Sequence, residues 1–145
     1  MNNKEKTLTT EEAYDAVYDF LYTCCEKANT NTDDIGCLLG EMSFLEDGST
    51  ADLAVLEDWD DAIARIKPDN AQKLTWNEAY AVMVKFLDRY RQELGSHEVA
   101  TLLRGMVLLA PKKTTNPTMW NNWEKSVNTI LNQNPRIRPK HELSC

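Results

Sequence analysis

The chain has 145 residues, room for one domain or two very small ones. Its 42% hydrophobic and 27% charged residues exclude a disordered chain, and no run approaches the roughly 20 apolar residues that span a bilayer. With 16 Lys and Arg against 23 Asp and Glu, the net charge is −7, a balance opposite to that of a typical nucleic-acid binder. The polar stretch Met1 to Lys6 lacks the apolar core of a secretory signal, so a soluble, cytosolic protein is expected.

In chain order, Thr9 and Glu12 have the spacing of a capping box, in which each side chain satisfies the other residue's backbone N–H. Behind them Ala13, Val17, Phe20 and Cys24 recur at helical spacing. A second helix is predicted from Asp33 to about Phe44. Ile35, Leu38, Leu39 and Met42 form its stripe, and two aspartates sit where the helix dipole favours them. Gly36 and Gly40, four residues apart, predict a close helix approach there. A third helix starts after the N-cap Asp52, with Leu56, Trp59, Ile63 and Ile66 as its apolar face. Thr75 and Glu78 open a fourth helix, with Ala79, Met83, Phe86 and Tyr90 inward and Gly95 placed to end it. A fifth is predicted from His97 to Leu109. In the sixth, Asn116 is the cap and Pro117 the first residue, ahead of Trp120, Trp123, Val127 and Ile130. No segment reads as a good strand. The tail from about residue 132, with Pro135, Pro139 and basic residues, reads as loosely held.

These six helices form two similar sets. Leu8 to Leu21 aligned with Leu74 to Leu87 keeps seven of fourteen residues identical. Asp33-Asp34-Ile35 then aligns with His97-Glu98-Val99, Met42 with Met106, and Trp59 with Trp123. Order is kept throughout and spacing is broken only by one two-residue gap, which points to an internal duplication. The expected architecture is therefore a single all-α domain of six helices. It would be built from two tandem three-helix repeats, about 8–66 and 74–131, with pseudo-twofold symmetry and a basic tail over 132–145. A repeat of about 60 residues would be marginal alone, so the two should share a buried face.

Charge divides unevenly between the repeats. Residues 1–70 hold 17 acidic and 5 basic side chains, net −12, whereas residues 71–145 hold 6 acidic and 11 basic, net +5. Glu12, Asp15, Asp19 and Glu26 fall on one face of the first helix, and Glu57, Asp58, Asp60 and Asp61 crowd the third. Like charges at i,i+4 cost a few tenths of a kcal/mol. An acidic surface that captures a basic partner would explain that cost, and so would a solvated, solubilising face.

Catalytic patterns are missing: no Gly-rich phosphate loop, no H-E-x-x-H and no G-x-S-x-G. The aspartate clusters lack the loop glycine and spacing of a calcium site. His97 and His141 are distant from Cys24, Cys25, Cys37 and Cys145, which carry no C-x-x-C pair, so reduced thiols without zinc are expected. Trp59 and Trp123 read as packing residues and not as base-stacking platforms. No enzyme activity, cofactor, metal, nucleic acid or membrane is expected.

The stretch Asp33-Asp34-Ile35-Gly36-Cys37-Leu38-Leu39-Gly40-Glu41-Met42 is followed by Asp47-Gly48-Ser49-Thr50-Ala51-Asp52 and Glu57-Asp58-Trp59. Together with Glu12-Ala13-Tyr14 and Phe20-Leu21, it resembles the immunity proteins of bacterial contact-dependent growth inhibition. The resemblance covers the first repeat; the second lacks the Asp-Ile-Gly and Asp-Gly elements. It implies a cytoplasmic protein that binds and neutralises the C-terminal toxin domain delivered by a neighbouring cell, often a basic nuclease. On that reading Glu12, Asp15, Asp19, Glu57, Asp58, Asp60 and Asp61 would face the toxin. The alternatives are a helical protein-interaction adaptor with no toxin partner, and an enzyme or metal protein built on the aspartate clusters.

Overall fold

The computed structural model describes residues 7–27, 33–42, 53–68, 72–110 and 112–132. Its order is β1 (Leu8–Thr9), α1 (Thr10–Lys27), α2 (Asp33–Met42), α3 (Leu53–Ile66), β2 (Lys73–Leu74), α4 (Trp76–Leu94), α5 (His97–Met106), β3 (Leu108–Ala110), β4 (Lys113–Thr114) and α6 (Pro117–Leu131). The all-α expectation holds for the bulk of the chain, and among the described residues no helix is long and apolar enough to cross a membrane. The predicted turn at Asp47-Gly48, the cap Asp52 and the tail beyond residue 132 lie outside the described residues.

The helix ends follow their local chemistry. Thr9 N–H donates to Glu12 Oε1 at 2.8 Å and Glu12 N–H to Thr9 Oγ1 at 3.0 Å; Thr75 and Glu78 repeat both bonds at the same distances. Gly95 ends α4 at φ 63°, a left-handed conformation that favours glycine. Asn116 caps α6 through its side chain, with Pro117 first in the helix, where a missing N–H costs nothing.

Short strands are the first departure from expectation. β1 pairs antiparallel with β2, setting Leu8 opposite Leu74, both fully buried. β3 and β4 form a separate hairpin. The predicted fifth helix accordingly stops at Met106 instead of Leu109. Gly105 O accepts from Asn116 N–H and Val107 O from Thr115 N–H, both at 2.8 Å, so carbonyls that would carry the helix onward are taken by the segment leading into α6.

The core is assembled by exchange between the halves of the chain. α1 packs most extensively on α6, and α3 on α4. Aromatic rings mark both contacts. Phe20 meets Trp123 edge-on at 6.2 Å between centroids, and Phe86 meets Trp59 at 5.7 Å. Within each half the tryptophan also meets a tyrosine: Tyr14 with Trp59 at 5.5 Å, and Tyr80 with Trp123 at 6.0 Å. Edge-to-face pairs of this kind add roughly 0.5–1.5 kcal/mol each beyond area burial. The tyrosine hydroxyls also hold the second helices. Tyr14 OH donates to Met42 O at 2.8 Å, and Tyr80 OH donates to Met106 O at 2.6 Å. Burial pushes the Tyr80 phenol well above its usual range, with nearby Cys24 adding to the rise.

Where α2 and α5 meet, each carries a carboxylate that serves the other's first turn. Glu98 accepts from Asp34 N–H (3.2 Å) and Ile35 N–H (2.8 Å), and Asp34 Oδ2 accepts from Ser96 Oγ at 2.5 Å. Ser96 Oγ in turn accepts from Val99 N–H at 3.1 Å and caps α5. The residue satisfying the start of α2 therefore lies 64 positions away.

Two packing expectations need correction. The buried face of α3 is Val55, Trp59, Ala62 and Ile63, with Ile66 at its margin, whereas Leu56 is 36% exposed. Val55 and Leu56 both lie about one turn before Trp59, at i−4 and i−3, and the buried face runs through Val55. Gly36 is buried, yet a Cβ there would meet nothing within 4 Å, so it does not mark a close helix approach.

Candidate partner-binding surface

α3 has neither Gly nor Pro in its interior and carries its apolar residues at spacings of 4, 3, 1 and 3, which seats one face against α4. That leaves Glu57, Asp58, Asp60 and Asp61 around the remaining circumference. Glu57 and Asp60 are exposed; Asp58 and Asp61 lean toward α4. There Arg89 Nη1 lies 2.7 Å from Asp61 Oδ2, and Arg89 Nε lies 3.3 Å from Asp58 Oδ1 and 3.6 Å from Glu93 Oε2. Arg65 adds a bond to Asp61 at 3.3 Å from one turn along α3. Exposed pairs such as these contribute only about 0–1 kcal/mol each. Their effect is on orientation: one guanidinium holds Asp58 and Asp61 in place, while Glu57 and Asp60 point to solvent.

Two of these aspartates are raised above the ordinary aspartate range, chiefly by burial. Asp58 holds its proton more tightly than an ordinary aspartate. Partial burial contributes most; Arg89 works against the rise, and Glu93, Asp61 and Glu57 reinforce it. Burial raises Asp60 in the same direction.

The acidic residues predicted on α1 are placed differently. Glu12 is engaged in its capping box, Asp15 is buried at 9% exposure, and Asp19 is half-buried. The structure thus gathers Asp58 and Asp61 around Arg89, sets Glu57 and Asp60 beside them, and leaves Asp15 within the core. Arg89 escaped the sequence reading because charge was tallied by half, and its partners sit in the other half. The spacing of Asp58 and Asp61, one turn apart on the flank of the apolar face, was the available signal.

The exchange of helices also changes what the charge split means. α1, α2 and α3 carry formal charges of −4, −3 and −3, while α4, α5 and α6 are each neutral. Because α1 lies on α6 and α3 on α4, each acidic helix borders a neutral one. Among the described residues, no group of three or more His, Cys, Asp or Glu is placed to hold a metal ion.

In comparisons with known proteins, no family model, curated protein or solved structure matched the chain.

Proposed function

We propose that the chain is a partner-neutralising protein of the contact-dependent growth inhibition immunity type, which acts in the cytosol and uses the outward carboxylates of α3 to occupy a basic surface of a toxin domain. The observation that carries this reading is the α3 array itself. Glu57 and Asp60 stand exposed beside Asp58 and Asp61, which Arg89 bridges and Arg65 supports at Asp61. Like charges crowded on one helix reduce stability, and a cationic partner reverses that cost. On this reading Glu57, Asp58, Asp60 and Asp61 form the contact. Glu12, Asp15 and Asp19 serve the fold, because one is a cap, one is buried and one is half-buried. The protein acts by binding, without a reaction or cofactor of its own.

We also infer that the two halves are duplicated copies related by a pseudo-twofold axis. The capping boxes, the tyrosine-to-methionine bonds and the Phe–Trp contacts occur in pairs at aligned positions. Pairing Leu8 directly with its aligned counterpart Leu74 is what an axis through β1 and β2 requires. Exchange of the third helices supports a duplication that acts as a tethered dimer.

The test is co-expression with the toxin domain encoded directly upstream. Growth should be restored by the chain and lost again when Glu57 and Asp60 are both replaced by Lys. Failure of the unaltered chain to restore growth would leave the helical adaptor as the better reading.

A further inference from the structure

Among the described residues, the most exposed apolar segment lies elsewhere, on the β3–β4 hairpin. Val107 is 53% exposed, Leu108 40% and Leu109 71%. An apolar cluster at the surface of a protein otherwise rich in carboxylates marks an interaction site more often than chance. The hairpin is held rigidly from one side. Thr114 is buried; its Oγ1 donates to Asn116 O at 2.5 Å and accepts from Trp120 N–H at 3.3 Å. Thr115 N–H donates to Val107 O, and Asn116 N–H to Gly105 O, both at 2.8 Å. β4 therefore lies against α6 with β3 outermost, and among the described residues no strand pairs with the outer edge of β3. Backbone direction alternates along a strand. Val107 O faces Thr115, so the N–H and C=O of Leu108 point outward.

Charge says what this edge takes. Residues 99–123 contain no Asp or Glu, while Arg104, Lys112 and Lys113 are all exposed. The segment is net +3 in a chain that is net −7. We propose that the outer edge of β3 receives an extended segment of a partner protein that alternates apolar and acidic side chains. The segment adds as a third strand to the hairpin. Its backbone pairs with Leu108, its apolar side chains cover Val107 and Leu109, and the carboxylates at its end beside the hairpin turn reach Lys112 and Lys113. A second copy of this chain fits less well, because its own β3–β4 segment is equally cationic. This surface is separate from the α3 carboxylates, and the proposal stands without them.

The test uses the full chain and a display library of random peptides about ten residues long. Selection should enrich sequences alternating Val, Ile or Leu with Asp or Glu. The enriched peptide, labelled and titrated by fluorescence anisotropy, should bind the unaltered chain. Binding should weaken at least about tenfold for Leu109→Glu, and similarly for Lys112→Glu combined with Lys113→Glu. A proline at the centre of the peptide should abolish binding by removing a ladder N–H. Leu109 is largely exposed, so that variant should keep the wild-type thermal melt. The proposal is overturned by any of three results: no enrichment, enriched peptides that bind Leu109→Glu equally well, or a lysine-bearing peptide that binds as tightly. Sedimentation showing a dimer that Leu109→Glu dissociates would assign the edge to a second copy and overturn it too.

Discussion

The halves of this molecule, residues 8–66 and 74–131, use the same internal parts and different surfaces. Inside, a capped first helix, a tyrosine that holds the second helix and a tryptophan on the third occur in both. Outside, position by position, Asp19 aligns with Lys85, Asp58 with Asn122 and Asp61 with Lys125. Packing tolerates few alternatives at buried sites and many at exposed ones, so the two frames use matching residues while the two surfaces differ. The comparison teaches where to look for activity: on residues that differ between halves and do no work in the core.

Removing the tryptophans should have the largest effect on both halves. Trp59→Ala and Trp123→Ala should each cost about 3–5 kcal/mol, since both are almost fully buried. Urea unfolding should return two similar values. A large inequality would mean that one half carries the fold alone. Next in size, Tyr14→Phe and Tyr80→Phe each leave the carbonyl of a buried methionine without its donor, at about 1–3 kcal/mol. Combined, the two should lose nearly the sum, because the bonds are distinct.

Smaller effects come from the caps. Thr9→Ala and Thr75→Ala should each lose about 1 kcal/mol in thermal or urea unfolding. The second cap is also sensitive to pH. The Thr75 backbone N–H holds Glu78 below its ordinary value of 4.5, assisted by Lys67 at 3.2 Å and opposed by partial burial. A depressed carboxylate stabilises the fold above its unfolded pKa. That contribution is lost as pH falls from about 4.5 through the lower folded value. Glu78→Gln should flatten stability against pH in that window, measured as urea midpoints across the acid range. The smallest effect is a gain. Lys112 sits at φ 64° in the hairpin, a left-handed conformation costing a non-glycine residue about 1–2 kcal/mol. Lys112→Gly should recover up to about 1 kcal/mol, since glycine's greater unfolded-state freedom offsets part of the relief.

Much of the helical frame was legible because its signals are local. Thr9 with Glu12, Thr75 with Glu78, Gly95 and Asn116-Pro117 each act within a few residues, and each lies where its chemistry put it. Periodicity located the buried tryptophans but misjudged Leu56, because neighbouring apolar residues at 53, 55 and 56 let the face be drawn with either phase. The partner of each face was not legible. Spacing says that Phe20 and Phe86 point inward, but not that each meets the tryptophan of the other half. The capping of α2 by Glu98 was hidden for the same reason. At the candidate surface, the α3 carboxylates were visible as a charge cluster. Burial of Asp15 and the role of Arg89 depend on how helices exchange, which charge counting does not encode.

On the proposed reading the α3 carboxylates bind a cationic protein surface. The direct test is calorimetric titration of the full chain with the C-terminal domain of the protein encoded directly upstream, the proposed toxin, inactivated for expression. It should be run at low and high salt, for the unaltered chain and for Glu57→Lys combined with Asp60→Lys. Tight binding is expected that weakens as salt rises and drops at least about a hundredfold in the variant, with its thermal melt unchanged. Asp58 and Asp60 hold their protons tightly, and a cationic partner favours their ionised forms. Binding should therefore weaken as pH falls into the acid range, where the raised Asp58 carboxyl takes up a proton. Equal affinity for both proteins at both salt concentrations would contradict the account and move the interface away from α3.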